Sequence, residues 1–252
     1  MSKFLLRRLL LLIPTLIGMS MLIFLMVRLM PGDIVDALVG MDPMITPAEK
    51  AELRASLGLD KPIPIQYLDW IGQMLRGNLG MSFRTYEPIT QQLLRSLPIT
   101  LEIAIFAIVL SVIVAIPLGV ISAVRQNSVA DFAANIAGLA GLSFPSFWLA
   151  TMFLLITSLW LHWIPPVIWI PPTEDLWGNL KQMFLPALSL SVQLMAIEMR
   201  MSRASMLEVL RQDYIRTAWS KGLNEPTVLY RHALRNAFIP VITVIGMQFG
   251  TL

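Results

Sequence analysis

The strongest constraint on this chain is a series of apolar stretches, each about as long as a lipid bilayer is thick. They lie at about 9–30, 99–124, 132–161 and 183–201, and a fifth begins near residue 238. About 20 consecutive apolar residues in a helix cross the hydrocarbon core of a bilayer. In lipid, a chain must satisfy its backbone hydrogen bonds internally, and a helix does so within one segment. The sequence therefore predicts an all-α polytopic membrane protein.

The composition supports this prediction and excludes several classes of function. Of the 252 residues, 56% are hydrophobic and only 14% are charged, too few to cover a soluble core of this size. The net charge of +3 comes without a basic, aromatic-rich patch, so nucleic acid is not an expected partner. There is no cysteine, and the two histidines, His162 and His232, are far apart in sequence. We therefore expect no metal site, no catalytic site and no cofactor bound by this chain.

The distribution of cationic residues predicts the orientation. Lys3, Arg7 and Arg8 precede the first span, and a second group of Arg and Lys lies between the fourth and fifth spans. Positive flanks stay in the cytoplasm, so the N-terminus and the 203–236 loop are predicted to be cytoplasmic. A cleaved signal peptide is the alternative for the N-terminus, but the apolar region is too long and no small-x-small site follows it.

Residues 31–97 are then an extracytoplasmic insert, and their pattern is helical. Thr46 is the predicted N-cap of a first helix, with Pro47 at the first helical position and Glu49 completing a capping box. Gly58 is its predicted stop, and a second helix is predicted to end at Gly77. The insert is too small to be an enzyme by itself.

Two later spans depart from a simple crossing. The 132–161 stretch is long for one straight span, and Pro145 is predicted to break or tilt it. Its small residues four apart, Ala134 with Gly138 and Ala137 with Gly141, favour close helix packing over a substrate path. The stretch from 238 to 252 is too short to cross a bilayer. We therefore expect the sequence to be C-terminally truncated, with five spans visible of six.

The segment "RQDYIRTAWSKGLNEPTVLYRHALRNAFIP", residues 211–240, is charged although apolar segments flank it. Asp213 is predicted to cap a short helix that ends at Gly222, and Asn224 with Pro226 to begin a second. At helical spacing one face of the first helix carries Tyr214, Ile215, Ala218, Trp219 and Gly222, and the other carries Arg216, Thr217, Ser220 and Lys221. Such an elbow can dock in a groove on a soluble protein or lie on anionic lipid, and the pattern leaves both open.

Two acidic residues lie inside predicted spans. Glu102 is near the outer end of its span, where it can cap or face a water-filled cavity. Glu198 is near the inner end, close to Arg200 and Arg203, and a local ion pair or snorkelling is the favoured interpretation. Two rival functions are weaker. A proton-coupled carrier requires more buried ionisable groups and an inverted repeat, and an intramembrane enzyme requires a nucleophile–base or metal constellation.

Four stretches carry a family resemblance. "DYIRTAWSKGLNEPTVLYRHALRNAFIPVI" resembles the cytoplasmic EAA loop of ABC-importer permeases, in the form found in the dipeptide/oligopeptide/nickel group. "LLRRLLLLIPTLIGMSMLIFLMVRLMPGD" is similar to that family's first span, and "RGNLGMSFRTYEPITQQLLRSLPITLE" to its outer loop entering the second. "LPALSLSVQLMAIEMRMSRASMLEVLRQDY" is similar to its fourth span entering the EAA loop. The matches cover essentially the whole chain in the right order, and the large outer region resembles the B-type subunit.

The resemblance also assigns a site, with departures. Ala218 and Gly222 fit the general EAA pattern, but its Glu position falls on Arg216, and the closing Leu-Pro is not at its usual place, since Pro240 comes later. Which charges touch the ATPase therefore stays open. The residues assigned to ATPase coupling are Asp213, Tyr214, Arg216, Thr217, Ala218, Trp219, Lys221, Gly222, Leu223, Arg231 and Arg235.

The resemblance implies a type I ABC-importer transmembrane fold, in a bacterial or archaeal inner membrane. The implied partners are a second permease subunit forming a heterodimer, two ABC ATPases and an extracytoplasmic solute-binding protein. ATP and Mg would be held by the ATPases, because the chain lacks the G-x-x-x-x-G-K-[ST] phosphate loop. Di- or oligopeptides are the expected substrates, with nickel, glutathione or sugars as alternatives that no residue here separates.

Overall fold

The computed structural model describes residues 2–29, 35, 46–82 and 84–252. In these ranges regular structure is helical, and the only β-type contact is an isolated antiparallel bridge between Met81 and Pro88. This confirms the all-α prediction. Residue 30 of the first predicted span and residues 31–34, 36–45 and 83 of the insert lie outside the described residues. The chain divides into two compact units, Met1–Arg95 and Ser96–Leu252.

The first unit contains α1 (Ser2–Leu29), α2 (Pro47–Ser56) and α3 (Ile63–Leu75). The predicted capping box at the start of α2 is confirmed. The Glu49 backbone N–H donates to Thr46 Oγ1 at 3.4 Å, and the Thr46 backbone N–H donates to Glu49 Oε2 at 2.7 Å. Two N–H groups that α2 cannot satisfy internally are thereby paired.

The predicted helix stops in the insert are also confirmed. Gly58 follows α2 with φ +65°, and Gly77 follows α3 with φ +79°. Residues with a Cβ rarely adopt this left-handed conformation, which turns the chain away from the helix axis.

The second unit is built on long helices joined by short connections. The boundary between the units lies inside α4, which continues from one to the other. The elements are α4 (Ile89–Val124), α5 (Val129–Ser143), α6 (Ser146–Leu161), α7 (Leu176–Leu210), α8 (Asp213–Ser220), a π-helical segment (Thr227–Leu234) and α9 (Arg235–Phe249).

The helices are longer than the apolar stretches that predicted them. α4 begins ten residues before the predicted start at 99, and α7 extends past both ends of the predicted 183–201 span. Residues 89–97 of the predicted insert are therefore helical and continuous with the second predicted span, and residues 203–210 of the predicted loop are part of α7. Apolar runs report the hydrocarbon thickness, whereas a helix continues into the polar interface on either side.

The 132–161 stretch is divided into two helices. α5 and α6 are bent by 101° at a break that contains Pro145, the N-cap of α6. The prediction that Pro145 breaks or tilts this stretch is confirmed. Among the described residues three helices are long and apolar enough to cross a membrane, or four if the bent pair counts as one span.

The second unit packs around α7. A Cβ added at Gly138 on α5 would lie 2.8 Å from Met199 Cε, and one added at Gly141 would lie 3.1 Å from Val192 Cγ1. Ala134 is buried on the same face, whereas Ala137 is exposed. The small residues therefore serve helix packing, as predicted, although along 134, 138 and 141 rather than in two separate pairs.

Candidate coupling site

The short helix α8 forms as predicted but with a different cap. Gln212 is the N-cap residue, with extended backbone and no side-chain hydrogen bond, and Asp213 occupies the first helical turn. The prediction that Asp213 caps the helix is therefore wrong. A carboxylate in the first turn still interacts favourably with the exposed N–H groups of that helix end.

α8 is fixed to the rest of the second unit by two side chains. Ile215 is 1% exposed and Ala218 is 6% exposed. They belong to one apolar cluster with residues from α4, α7, the π-helical segment and α9: Val120, Ala123, Met206, Val228, Ala233 and Ala237. A displacement of α8 therefore acts on the ends of three long helices, because packed side chains transmit strain.

The aromatic pair lies beside this buried face and not in it. Tyr214 is 43% exposed and Trp219 is 44% exposed. The predicted apolar face is thus divided into a buried centre and an exposed aromatic edge. Large exposed aromatic side chains are typical anchors of protein interfaces.

The charged side chains of α8 form only a weak ion pair among the described residues. Arg216 lies 3.7 Å from Asp213, and both side chains are mostly exposed, so this pair adds little to stability. Lys221 is exposed at the helix end. Thr217 Oγ1 donates to the Asp213 carbonyl at 3.0 Å. The three charged groups therefore remain available to a partner.

The elbow after α8 follows the predicted pattern. Gly222 has φ +75°, and the Leu223 N–H donates to the Ala218 carbonyl at 3.4 Å. Asn224 Oδ1 then accepts from the Thr227 N–H at 3.2 Å and begins the next helix. This helix is π-helical over Thr227–Leu234, which the pattern did not predict. A π-helical insertion is uncommon and often lies at a functional site.

Two further predicted residues follow the elbow. Arg231 is exposed in the π-helical segment, and Arg235 is exposed at the start of α9. Asn236 Nδ2 donates to the Tyr214 hydroxyl at 2.9 Å and links the two arms of the elbow. The structure thus brings the predicted coupling residues onto one continuous region of the second unit.

A buried polar network beside this region was not predicted. The Arg203 guanidinium donates to both carboxylate oxygens of Asp131, each at 2.8 Å, and its Nε also donates to Ser122 Oγ at 3.0 Å. Ser122 Oγ in turn donates to Asp131, whose side chain is 6% exposed. The three residues lie on α4, α5 and α7, so the network ties three helices together. Its members are distant in sequence, and the signal that could have suggested it is a lone carboxylate, Asp131, at the start of a predicted span.

The structure places the two acidic residues of the predicted spans in different surroundings. Glu198 is fully buried, and neither carboxyl oxygen has a hydrogen-bond partner among the described residues. The favoured interpretation of Glu198, a local ion pair or snorkelling, is therefore wrong, and the nearby Arg203 pairs with Asp131. Glu102 accepts a hydrogen bond from Trp169 Nε1 at 3.1 Å, which ties α4 to the loop before α7.

Comparison with known proteins places the chain in one family. Residues 115–252 match the family profile described as binding-protein-dependent transport system inner membrane component. Residues 1–104 match the profile for the N-terminal part of such a membrane component.

Similar proteins agree over almost the whole chain. A putative peptide permease protein of Brucella ovis is 40% identical over 253 residues, covering 99% of this chain and 79% of the relative. The dipeptide transport system permease protein DppB of Escherichia coli K12 is 39% identical over 277 residues, covering 100% of this chain and 81% of the relative. The oligopeptide transport system permease protein AppB of Bacillus subtilis is 36% identical, covering 98% of this chain and 79% of the relative.

These matches and the apolar helices establish a multi-pass protein of the inner membrane. In such systems ATP hydrolysis belongs to partner ATPases, and the solute is delivered by a binding protein. The chain belongs to the family of inner-membrane components of binding-protein-dependent transport systems, and it is a permease subunit.

Proposed function

We propose that this chain is the B-type half of a heterodimeric permease that imports di- or oligopeptides, driven by two ATPases docked on its 211–236 loop. The relatives named above, a peptide, a dipeptide and an oligopeptide permease, support this substrate class. The cationic residues of the loop and of the N-terminus support a cytoplasmic location for both.

One observation carries the docking proposal. α8 is held by the buried Ile215 and Ala218, yet it exposes Tyr214 and Trp219 at its edge. A helix that only lay on lipid would direct its most apolar face to the bilayer. Here that face is already packed against the protein, and the exposed side is aromatic and charged. This combination fits a groove on a soluble ATPase better than a membrane surface.

The same packing provides a mechanism. ATP and Mg bind to the partner ATPases, and closure of the ATPase pair displaces α8. The cluster around Ile215 includes side chains of α4, α7 and α9, so the displacement tips these helices and turns the permease outward. Peptide released by the solute-binding protein then enters between the two permease halves. Hydrolysis resets the inward-facing state.

The test removes the exposed aromatic pair in the complete transporter. We expect Tyr214→Ala with Trp219→Ala to lower peptide uptake at least about tenfold, because anchor side chains each contribute 2 kcal/mol or more to an interface. Basal ATPase activity should lose its stimulation by loaded binding protein. Trp160→Ala is the matched control, since Trp160 is 79% exposed on α6, outside the 211–236 loop. Unchanged uptake in the double variant would contradict docking at α8.

The lever role of the elbow is tested at Gly222. Because its φ is +75°, Gly222→Pro cannot keep the backbone, whereas Gly222→Asn can. We expect the Pro variant to hydrolyse ATP without transport and the Asn variant to transport. Ala218→Asp is a poorer test, because Ala218 is buried and a charge there would also unfold α8.

The substrate class is tested by competition. Uptake of a labelled dipeptide into cells with the intact transporter should fall with unlabelled di- and oligopeptides. Nickel salts, glutathione or sugars that compete instead would replace peptide as the cargo. Uptake that persists without ATP and stops with a protonophore would indicate a proton-coupled carrier.

A further inference from the structure

The helix α3 in the first unit has three distinct faces. Projected at 100° per residue, one face holds Tyr67 and Trp70, and an adjacent face holds the polar side chains Gln66, Asp69 and Gln73. The third face includes Leu68 and Leu75 and lies on the far side of the helix from the polar face.

The third face is apolar and largely exposed within the described part of the first unit. Leu68 is 65% exposed and Leu75 is 81% exposed. A row of exposed leucines on a folded helix indicates contact with lipid or with another protein. Whether lipid or water covers this face depends on the position along the membrane-spanning helix α1 at which α3 packs.

The contacts of Tyr67 and Trp70 with α1 show where along α1 the helix α3 packs. Ser20 Oγ and the Tyr67 hydroxyl are 2.8 Å apart. The Phe24 ring lies 5.5 Å from the Tyr67 ring and 5.8 Å from the Trp70 ring, centroid to centroid. Phe24 is the only buried side chain among the described side chains of α1. α3 therefore lies against the last two and a half turns of α1.

Those turns lie inside the membrane span. The candidate membrane span in α1 is Lys3–Leu29, and at about 1.5 Å per residue Ser20 lies about 14 Å and Phe24 about 8 Å before its end. The Arg28 guanidinium lies over the Phe24 ring, 5.3 Å from its centroid. A cation near the end of a span lies at headgroup level. The contact between α1 and α3 is thus at or below the headgroups.

We propose that α3 is a membrane-embedded interfacial helix whose Leu68–Leu75 face contacts the acyl chains of the leaflet at the carboxyl end of α1. The depth of its contact with α1 favours lipid over water as the cover of this face. Tyr67 and Trp70 are residue types enriched at this level of a bilayer. This modifies the prediction that residues 31–97 lie wholly outside the membrane.

The polar face of α3 is consistent with an interfacial position. Asp69 pairs with Lys61 Nζ at 2.7 Å, and Gln66 Nε2 donates to the Lys61 carbonyl at 2.7 Å. The hydrogen-bonded segment that precedes α3 therefore lies on its polar side. An amphipathic helix at an interface places polar groups toward water and apolar groups toward acyl chains.

The test uses the absence of cysteine from the printed sequence. Leu68→Cys, Leu75→Cys and, as matched control on the polar face, Gln73→Cys each accept one nitroxide label. The complete transporter is reconstituted in phosphatidylcholine–phosphatidylglycerol nanodiscs, and retained ATPase activity stimulated by the loaded binding protein shows that each labelled variant is folded. Accessibility of each label to oxygen, which concentrates in acyl chains, and to a water-soluble nickel chelate is measured by power saturation.

We expect labels at 68 and 75 to be several-fold more accessible to oxygen than to the chelate, and the label at 73 to show the reverse. Chelate accessibility at 68 and 75 equal to that at 73 would place the face in water and overturn the proposal. Exclusion of both reagents would identify another subunit as the cover, and this also contradicts it.

Discussion

The helices α1 and α7 are both long enough to cross a membrane, yet they differ in almost every other respect. α1 is exposed along most of its length, and its described residues include no carboxylate. Nearly half of the most apolar window of α7 is buried, and α7 contains Asn179, Gln182, Glu198 and several serines in buried positions.

The difference shows that a membrane-spanning helix can contain buried polar side chains when neighbouring segments supply their hydrogen-bond partners. A polar group in lipid must find a partner within the protein or remain costly. In α7, Gln182 Nε2 donates to the Pro166 and Ile168 carbonyls, each at 2.7 Å, and Arg203 pairs with Asp131. Among the described residues of the first unit, α1 packs mainly against α3, through Ser20 and Phe24. Residues in α7 should therefore tolerate change far less than equivalent residues in α1.

The largest expected effect compares an arginine in each helix. Arg203→Ala removes the partner of a buried carboxylate, and we expect the midpoint of thermal unfolding to fall by about 10 °C. Among the described residues Arg28→Ala removes a contact with the Phe24 ring, so a fall of about 2 °C or less is expected. Melting curves of the purified transporter in detergent give both values. Equal shifts would remove the distinction between the two helices.

A second comparison uses glycines. A Cβ at Gly119 would lie 2.7 Å from Ser202 Cβ and 2.8 Å from the Met199 carbonyl oxygen of α7, whereas one at Gly18 meets no atom within 4 Å. We expect Gly119→Val to cost about 2 kcal/mol because backbone cannot move aside easily. Gly18→Val should change stability by less than about 0.5 kcal/mol. Chemical denaturation of the purified subunit separates the two, and a tolerated valine at 119 would contradict the packing.

The third prediction concerns Glu198, whose carboxyl oxygens have no hydrogen-bond partner in the part of the chain that the structure describes. Replacing a buried polar group by an apolar one of similar volume is often stabilising, so Glu198→Met should raise stability by about 1 kcal/mol. An ionisable residue kept inside a span is by default functional. We therefore expect slower peptide uptake in the same variant. A variant that is less stable but transports normally would assign Glu198 a structural role only.

The smallest effect lies at the start of α2. Hydrogen bonds from the Thr46 backbone and side chain hold the pKa of Glu49 below its usual value of 4.5. A lowered folded-state pKa contributes stability that is present above pH 4.5 and is lost as the pH falls through the folded value. Amide exchange over 47–56, corrected for intrinsic rates, should therefore accelerate at low pH. Glu49→Gln should remove the pH dependence, and an unchanged profile in that variant would contradict it.

Local interactions explain which predictions succeeded. The capping box at Thr46, the stops at Gly58 and Gly77, the break at Pro145 and the elbow at Gly222 each depend on residues within a few positions of one another. Their chemistry is visible in a short window of sequence. That the coupling residues bind an ATPase remains a prediction. Their position on one surface was predictable because they lie within a short window of sequence.

Hydrophobic length, caps and helical period are local properties, and from them the sequence alone predicts a series of apolar helices with a charged elbow. The tertiary structure pairs Arg203 with Asp131, 72 residues away, and leaves Glu198 without a hydrogen-bond partner among the described residues. It also decided that α5 and α6 bend by 101° and that α3 lies against Ser20 and Phe24. These are contacts between distant segments, and their energies depend on which surfaces meet after the helices have formed.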